Sequence, residues 1–298
     1  MFRNLLVPLD GSRMAESALP AAAYLAPRLS ARVTLVHCIE RAAPETVHGE
    51  RHLQEPEEAR AYLEEAAARA FPSGVEIACH THAPEIADVA PSILEHAKEM
   101  SSTLIVMCTH GRSGLGNLLL DNIAQRIVGS GTTPVLLIPP NGGTPSFAVR
   151  RLLVPLDGDA AHEQALPVAG ELAAACRSEI HLVFVVATRG SLPGSDAAVG
   201  LLLPRATRAV LEIARQEAEA YLALHIQCQQ AAGHAVTSEV CRGAAPRAIA
   251  RAAQRTRADL IVMATHRKEG MDAFWSGSVA PRVASYAKRP LLLVPIAE

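Results

Sequence analysis

The sequence has few aromatic residues, no excess of basic charge and no long apolar run. Aromatic side chains make up 3% of the 298 residues, and the formal net charge is -2. Nucleic-acid-binding proteins use basic surfaces and aromatic side chains on which bases stack. We therefore expect no nucleic-acid partner. No stretch approaches the ~18 uninterrupted apolar residues of a membrane-spanning helix, so we expect no membrane partner either.

The first residues favour a cytoplasmic protein, and the cysteines favour buried thiols. Only Leu5 to Val7 form an apolar run before Pro8, which is too short for the core of a signal peptide. The six cysteines show no Cys-x-x-Cys spacing, and most lie among apolar residues. This pattern is typical of small buried side chains rather than of disulfides or a zinc site.

Three motifs of nucleotide and hydrolase chemistry are missing. The sequence has no Gly-x-x-x-x-Gly-Lys-Ser/Thr, no Gly-x-Gly-x-x-Gly after a first strand and no Gly-x-Ser-x-Gly. Ser113 is a weak candidate nucleophile because no base or acid can be assigned to it. We therefore predict no catalytic residue, and we expect a protein that is not an enzyme.

One stretch of seven residues occurs twice. Leu-Leu-Val-Pro-Leu-Asp-Gly stands at 5–11 and again at 152–158. Each copy predicts a short apolar strand that ends at a proline and places an Asp and a Gly just beyond its carboxyl end, where open α/β sheets bind ligands. A stretch rich in Gly and Pro at 141–146 separates the copies. The sequence thus predicts two domains, 1–142 and 148–298.

Alternating strands and helices predict the same α/β fold in both copies. The predicted strands are 4–9, 33–39, 75–81, 104–108 and 135–138 in the first copy, and 152–156, 180–186, 236–241, 260–264 and 291–294 in the second. Right-handed crossovers then give two doubly wound, five-stranded parallel sheets, which we expect to be related by a pseudo-twofold axis. We predict that Ser12 caps a helix with an apolar face at Ala18, Ala22, Leu25 and Leu29, and that another helix runs from about Pro84 to Met100.

The two copies also differ in length, and their last strands need partners. The second copy has nine extra residues, which we place in 188–204 and the long helix that follows. The apolar last strands of the copies must be covered. We expect 135–138 and 291–294 to pair with each other within one chain, or with their equivalents in a homodimer.

Two histidines on the third strand are candidate metal ligands. His80 and His82 are two residues apart, so they lie on one face of the strand and could chelate an ion. No Glu or Cys obviously completes a site. We prefer the interpretation that they are ordinary, partly buried histidines, and we predict no metal.

A turn after the fourth strand is a candidate anion site in each copy. It contains His110 and Gly111 in the first copy and His266 and Arg267 in the second. A turn that leads into a helix offers free N–H groups and the positive end of the helix dipole to a phosphate, and glycine allows close approach. That these residues only form turns is an equal alternative.

The combined motifs strongly resemble the universal stress protein family. They are Val-Pro-Leu-Asp-Gly-Ser, Val-His-Cys-Ile, Leu-Ile-Val-Met-x-Thr-His-Gly-Arg-Ser-Gly and Pro-Val-Leu-Leu-Ile-Pro, and the resemblance covers nearly the whole chain, twice. It implies a tandem member with a five-stranded parallel sheet in each half and pairing through the last strand. It also implies adenine-nucleotide (ATP or AMP) binding, which only some members of the family show.

The resemblance assigns a set of nucleotide-binding residues. In the family's ATP-binding members, an Asp after the first strand and a residue near the end of the second hold adenosine, and a glycine-rich segment holds phosphate. Carried over, the set is Pro155, Leu156, Asp157, Val185, Met263, Ala264, His266, Arg267, Gly277, Ser278 and Val279 in the second copy, and Pro8, Leu9, Asp10, Cys38, Met107, Cys108, His110, Gly111 and Asn122 in the first.

The phosphate end departs from the family's pattern in both copies. The first copy has Asp121-Asn122 where Gly-Ser is expected. The second has Arg267 in place of a glycine but keeps Gly277-Ser278. We therefore predict that any ATP or AMP binds in the C-terminal half, with the N-terminal pocket empty or holding a nucleoside without phosphates.

These observations lead to three hypotheses for function. The first is a stress-response protein that binds adenine nucleotides and acts through its conformation or its protein partners. The second is a nucleotide-free scaffold or signalling protein. The third is a slow ATPase or phosphotransferase, which is disfavoured because no base or metal-binding carboxylate is placed beside the phosphate turn.

Overall fold

The structure is a computed structural model that describes most of the chain. The described residues are 1–41, 46–47, 50–86, 88–109, 122–140, 147–192, 194, 198, 201–266 and 279–296, with the backbone alone at 83–86 and 122. Contacts between residues divide the chain into two compact units, each built around one sequence repeat. We describe each unit by itself.

The first unit comprises Met1–Ala148 and, from Pro290 onward, the last strand of the chain. Its sheet has the strand order β5-β2-β1-β6-β7-β12, and a separate hairpin is formed by β3 and β4. The strands are β1 (Asn4–Pro8), β2 (Arg32–Glu40), β3 (Thr46–Val47), β4 (Glu50–Arg51), β5 (Ile77–Ile86), β6 (Leu104–Cys108), β7 (Val135–Ile138) and β12 (Leu291–Pro295). The helices are α1 (Arg13–Glu16), α2 (Leu19–Leu29), α3 (Pro56–Ala70), α4 (Val89–Glu99) and α5 (Asn122–Ser130).

The second unit comprises Val149–Thr265 and Ser278–Arg289. Its strand order is β10-β9-β8-β11, and the described pairs are parallel. The strands are β8 (Arg151–Leu156), β9 (Glu179–Val186), β10 (Val236–Arg242) and β11 (Leu260–Thr265). The α-helices are α6 (Ala165–Cys176), α7 (Pro204–Ala231), α8 (Ala245–Arg255) and α9 (Val279–Ala287), with 3-10 turns at His162–Gln164 and Arg189–Ser191.

The central strands are buried because they are almost wholly apolar. Leu5, Leu6 and Val7 of β1 are at most 1% exposed, and β8 repeats this burial at Leu152–Val154. Strands of a parallel sheet are covered on both faces, so a continuous apolar run suits them better than an alternating one. Each such side chain contributes about 1.5–3 kcal/mol when it is removed from water.

The last strand, β12, pairs with β7 and runs antiparallel to it. Leu291 lies opposite Leu137, and Leu293 lies opposite Val135. All four side chains are at most 1% exposed. The prediction that the two apolar last strands meet within one chain is confirmed. The pseudo-twofold relation between the repeats stays a prediction.

The α/β fold and its repetition are confirmed, but one predicted helix start is wrong. The backbone of Pro84 belongs to β5, which continues to Ile86 beside Glu40 of β2. The helix α4 begins only at Val89. Pairing with the neighbouring strand, which includes an irregularity between Cys38 and Glu40, keeps this segment extended beyond the point where the sequence suggested a helix.

The extra length of the second repeat lies partly in its long helix. Helix α7 has 28 residues, whereas its counterpart α3 has 15. The hairpin β3–β4 falls within a segment for which the sequence predicted no secondary structure. None of the described helices is both long and apolar enough to cross a bilayer.

Candidate nucleotide-binding site

The two Asp-Gly turns occupy equivalent places in the two units. β1 lies between β2 and β6, and β8 lies between β9 and β11. Parallel pairing brings the carboxyl ends of these strands to one edge of the sheet. Asp10 and Cys38 therefore approach the same edge in the first unit, as Asp157 and Val185 do in the second.

In the first unit, the carboxylate of Asp10 is engaged by its own turn. Its Oδ1 accepts hydrogen bonds from the backbone N–H of Ser12 at 2.9 Å and from the Ser12 hydroxyl at 2.6 Å. The Ser12 hydroxyl oxygen in turn accepts the N–H of Ala15 at 3.1 Å and caps α1, which confirms the predicted cap. The predicted extent of the capped helix is wrong, because α1 ends at Glu16 and the apolar face lies on the separate helix α2. Asp10 thus stabilises the helix start.

Residues 50–53 pack over this turn. A Cβ placed on Gly11 would lie 3.1 Å from the side chain of Leu53. The buried His37 ring contacts the Leu9 carbonyl through Nδ1 at 2.8 Å and the Leu53 carbonyl through Nε2 at 3.1 Å. Glu50 accepts the backbone N–H of Arg13 at 2.7 Å. The first turn is therefore covered by the chain itself.

Four of the predicted adenosine contacts of the first unit are buried, whereas Pro8 is partly exposed. Leu9, Cys38, Met107 and Cys108 are 4–8% exposed. Burial raises the pKa of the Cys38 thiol, an effect that a 3.6 Å hydrogen bond with Ser92 opposes. Little surface at these residues is accessible to a base.

In the second unit, the equivalent carboxylate is exposed. The side chain of Asp157 is 58% exposed. It accepts the backbone N–H of Asp159 at 3.1 Å, and Nδ1 of His162 lies 2.8 Å from both of its oxygens. A Cβ on Gly158 would meet only the Phe184 ring, at 3.8 Å. This turn is open where the first is covered.

Two aromatic rings, Phe184 and Tyr221, lie beside the open turn. The rings of Phe184 and Tyr221 meet edge to face with centroids 5.7 Å apart, and the Tyr221 hydroxyl donates to Glu163 at 2.8 Å. Burial, followed by the hydrogen bond to Glu163, raises the pKa of the Tyr221 hydroxyl. The phenol therefore stays neutral and rigidly held.

The other predicted contacts that the structure describes in the second unit are apolar side chains. Pro155, Val185 and Ala264 are partly exposed, whereas Leu156 and Met263 are buried. Small side chains next to an exposed carboxylate suit a nucleoside, whose base needs an apolar slot and whose ribose hydroxyls need an acceptor. The residues present fit the adenosine portion of a nucleotide.

Comparison with known proteins identifies the family. The sequence profile described as "Universal stress protein family" matches residues 1–139 and 148–295. The chain belongs to the universal stress protein family. It carries the family's domain twice, as its seven-residue repeat predicts, and this confirms the predicted tandem organisation. The predicted limits of the two domains, 1–142 and 148–298, stay a prediction.

Individual universal stress proteins match one half of this chain or all of it. It is 32% identical over 150 residues to Universal stress protein YxiE of Bacillus subtilis, covering 46% of this chain and 99% of the relative. Universal stress protein MJ0531 of Methanocaldococcus jannaschii is 27% identical over 145 residues, covering 49% and 81%. A universal stress protein from Archaeoglobus fulgidus has the same fold along 99% of this chain and 97% of its own, with a TM-score of 0.69 and 17% identity.

The structure of this universal stress protein leaves the predicted phosphate contacts untested. His110, Gly111, Arg267, Gly277 and Ser278 lie outside the described residues. Asn122 and Val279 begin α5 and α9, and the side chain of Val279 is 36% exposed. His266 is exposed. These assignments stay predictions.

Sequence reasoning missed the side chains that distinguish the two turns. Leu53, Phe184, Tyr221 and His162 were not among the predicted contacts. Leu53 lies in a polar segment without periodicity, and Phe184 belongs to an apolar run that predicts only burial. Alignment of the repeats could have drawn attention to His162, because it lies five residues after Asp157.

Proposed function

We propose that this universal stress protein binds an adenine nucleotide, ATP or AMP, in its second repeat and not in its first. Asp157 holds the ribose or adenine, and Val185 and Ala264 contact the base. Arg267, Gly277 and Ser278 receive the phosphates. The output is a change of conformation or of protein partner in the cytoplasm, without turnover of the nucleotide.

One observation carries the proposal: the two equivalent turns differ in access. The Asp157 side chain is 58% exposed, whereas Asp10 is only partly exposed and is hydrogen-bonded to Ser12, and Leu53 packs against the neighbouring Gly11. A ligand at Asp157 competes with the His162 ring and with the backbone N–H of Asp159. A ligand at Asp10 has to displace the packing of residues 50–53, and it would also compete with a helix cap worth about 1 kcal/mol.

A second candidate function, a scaffold without nucleotide, is favoured by a different observation. The second unit exposes large apolar side chains at the start of α7 and along it. They are Leu201, Leu202, Leu203, Val210, Ile213 and Leu224, each more than half exposed. Apolar surface of this kind is typical of proteins that act through protein contacts. This function remains if no adenine nucleotide binds.

The test compares two matched substitutions in the full chain. Asp157→Asn removes the charged acceptor in the second repeat, and Asp10→Asn makes the same change in the first. Isothermal titration calorimetry with ATP, AMP and adenosine measures affinity for each variant. A hydrogen bond to a charged group is worth about 1.5–3 kcal/mol, so Asp157→Asn is expected to weaken binding about 10- to 100-fold.

Asp10→Asn is expected to leave the affinity for ATP and AMP within about twofold of the unchanged protein. Equal losses in both variants, or a loss in Asp10→Asn alone, would contradict the assignment to the second repeat. Absence of binding to the unchanged protein, together with no adenine nucleotide in its denatured extract by mass spectrometry, would favour the scaffold. Release of ADP from ATP and magnesium would instead support the ATPase hypothesis.

A further inference from the structure

Three imidazole rings meet on the first unit, away from the Asp-Gly turn. His80 and His82 project from one face of β5, and His96 lies on α4. Their candidate ligand nitrogens all lie within 4.8 Å of one another. The Nε2 atoms of His80 and His96 are 3.0 Å apart, and the rings of His82 and His96 are 4.6 Å apart at their centroids.

The hydrogen bonds of His96 fix which of its nitrogens is free to accept. Its Nδ1 lies 2.8 Å from the backbone carbonyl of Ser92. A carbonyl oxygen only accepts, so this nitrogen carries the proton. In the neutral ring, Nε2 then presents its lone pair towards His80. Histidines that bind metals are held in this way, with the second ring nitrogen donating to a carbonyl or carboxylate.

The second repeat provides an internal comparison. Pro8 and Pro155 are equivalent residues of the two repeats. The residue that lies two strands away from Pro8 in the sheet is His80 of β5, and the residue two strands away from Pro155 is Glu239 of β10. Glu239 is therefore the counterpart of His80. Glu239 forms an ion pair with Arg255. The second repeat therefore balances charge at this position with side chains of opposite sign.

The neighbouring position shows the same contrast. Cys241 stands at the place of His82, and Arg255 contacts its Sγ at 3.6 Å. In the first repeat these positions carry bases, and a third base faces them from the helix. The three imidazoles of the first repeat offer lone pairs that a cation can bind. In the second repeat, Arg255 already supplies the positive charge opposite Glu239.

We propose that His80, His82 and His96 bind a divalent transition-metal ion of the zinc class. Tetrahedral zinc holds nitrogens at about 2.0–2.1 Å, which sets them about 3.3 Å apart. The 3.0 Å between the Nε2 atoms of His80 and His96 is close to this, and a ring nitrogen of His82 lies within 4.8 Å of both partners. Three imidazoles suit zinc, copper or nickel, and they leave a fourth position for water.

The surroundings allow an ion to enter and be held. His80 and His82 are partly exposed, whereas His96 is 2% exposed and anchored. Metal binding replaces the hydrogen bond between His80 and His96, so the proton on Nε2 of His80 has to leave that atom. It moves to Nδ1 of the same ring if the ring is neutral, and it is released to water if the ring is charged. The site thus has two partly exposed ligands and one buried ligand.

The test uses Zn²⁺ and Co²⁺ with the full chain. Equilibrium dialysis measures bound Zn²⁺, and visible spectroscopy detects tetrahedral Co²⁺. His82→Ala removes a partly exposed ligand. His225→Ala is the matched control, because His225 lies on α7 of the second unit and pairs with Glu163 at 3.3 Å. We expect His82→Ala to weaken Zn²⁺ binding at least 10-fold and to abolish the tetrahedral Co²⁺ spectrum, and His225→Ala to retain both.

Nuclear magnetic resonance of the unchanged protein with ¹⁵N-labelled histidine keeps the test independent of any variant's folding. Zn²⁺ is expected to shift Nε2 of His96 while its Nδ1 keeps a proton. Unchanged Zn²⁺ binding in His82→Ala, an equal loss in His225→Ala, or shifts confined to other histidines would each overturn the proposal.

Discussion

The covering of the first Asp-Gly turn by Leu53 can be measured by adding one methyl group to each turn. Gly11 has φ +87° and Gly158 has φ +88°, so Gly11→Ala and Gly158→Ala force an alanine into the same left-handed backbone. This strain costs about 1–2 kcal/mol in either place. Any difference between the two substitutions then reports the surroundings of the added Cβ.

The surroundings differ by 0.7 Å in the nearest contact. At Gly158 the new Cβ would lie 3.8 Å from Phe184, which is ordinary van der Waals contact. At Gly11 it would lie 3.1 Å from both Cγ and Cδ1 of Leu53. Overpacking of this kind adds about 1 kcal/mol or more. We expect Gly11→Ala to destabilise its unit by about 2–3 kcal/mol and Gly158→Ala to destabilise its own by about 1–2 kcal/mol.

The assay has to separate the two units, because a chain of two units need not unfold in one step. Native-state hydrogen exchange, followed by mass spectrometry of peptides from each unit, gives a local free energy for each. Leu53→Ala is the control, since in its background the extra cost of Gly11→Ala should disappear. A Gly158→Ala cost equal to or greater than that of Gly11→Ala, or an unchanged excess in the Leu53→Ala background, would refute the proposed cover.

Two further predictions concern the last strands and an ion pair. Leu137→Lys places an ammonium group at a side chain that is 0% exposed between β6 and β12, and we expect it to lower the free energy of unfolding by more than about 4 kcal/mol in thermal or urea unfolding. Leu201→Lys, at a residue that is 76% exposed, should change this free energy little. Similar small effects at both sites would contradict the strand pairing. The hydrogen bonds from Arg126 hold the pKa of Asp88 below its usual value, so the pair adds stability that is present above about pH 4, the range of an unfolded Asp, and is lost as the pH falls through the lowered value. Because both side chains are more than a third exposed, Arg126→Ala should cost below about 1 kcal/mol at pH 7, and the difference from the unchanged protein should shrink as acid protonates Asp88; a difference that stays constant while Asp88 titrates would show that the loss is not electrostatic.

Much of the fold could be predicted because it depends on local patterns. The apolar run at Leu152–Leu156 predicts a strand, and the proline and Asp-Gly predict where it ends. Ser12 is a cap by residue type and position alone. The start of α4 could not be predicted in this way, because the segment near Pro84 is held extended by a neighbouring strand that is distant in sequence.

In the candidate sites, too, the residue types could be predicted from the sequence, whereas the packing around them could not. Asp10 and Asp157 look alike in the sequence, and only packing from Leu53 and the exposed position of Asp157 distinguish them. His80 and His82 were recognisable as a pair. Their third member, His96, lies 14 residues after His82 on another element, so its approach depends on how α4 packs against β5.

The pairing of β12 with β7 has a consequence for how the chain is made. The first unit contains the strand Leu291–Pro295, which leaves the ribosome only after the rest of the second repeat. Until then, Val135–Ile138 has no described partner on one of its sides, and an unpaired apolar strand edge is a site of aggregation. The first repeat to be synthesised is thus the last to be completed. A nascent chain stalled within the second repeat would expose this edge to chaperones, to other nascent chains and to proteases.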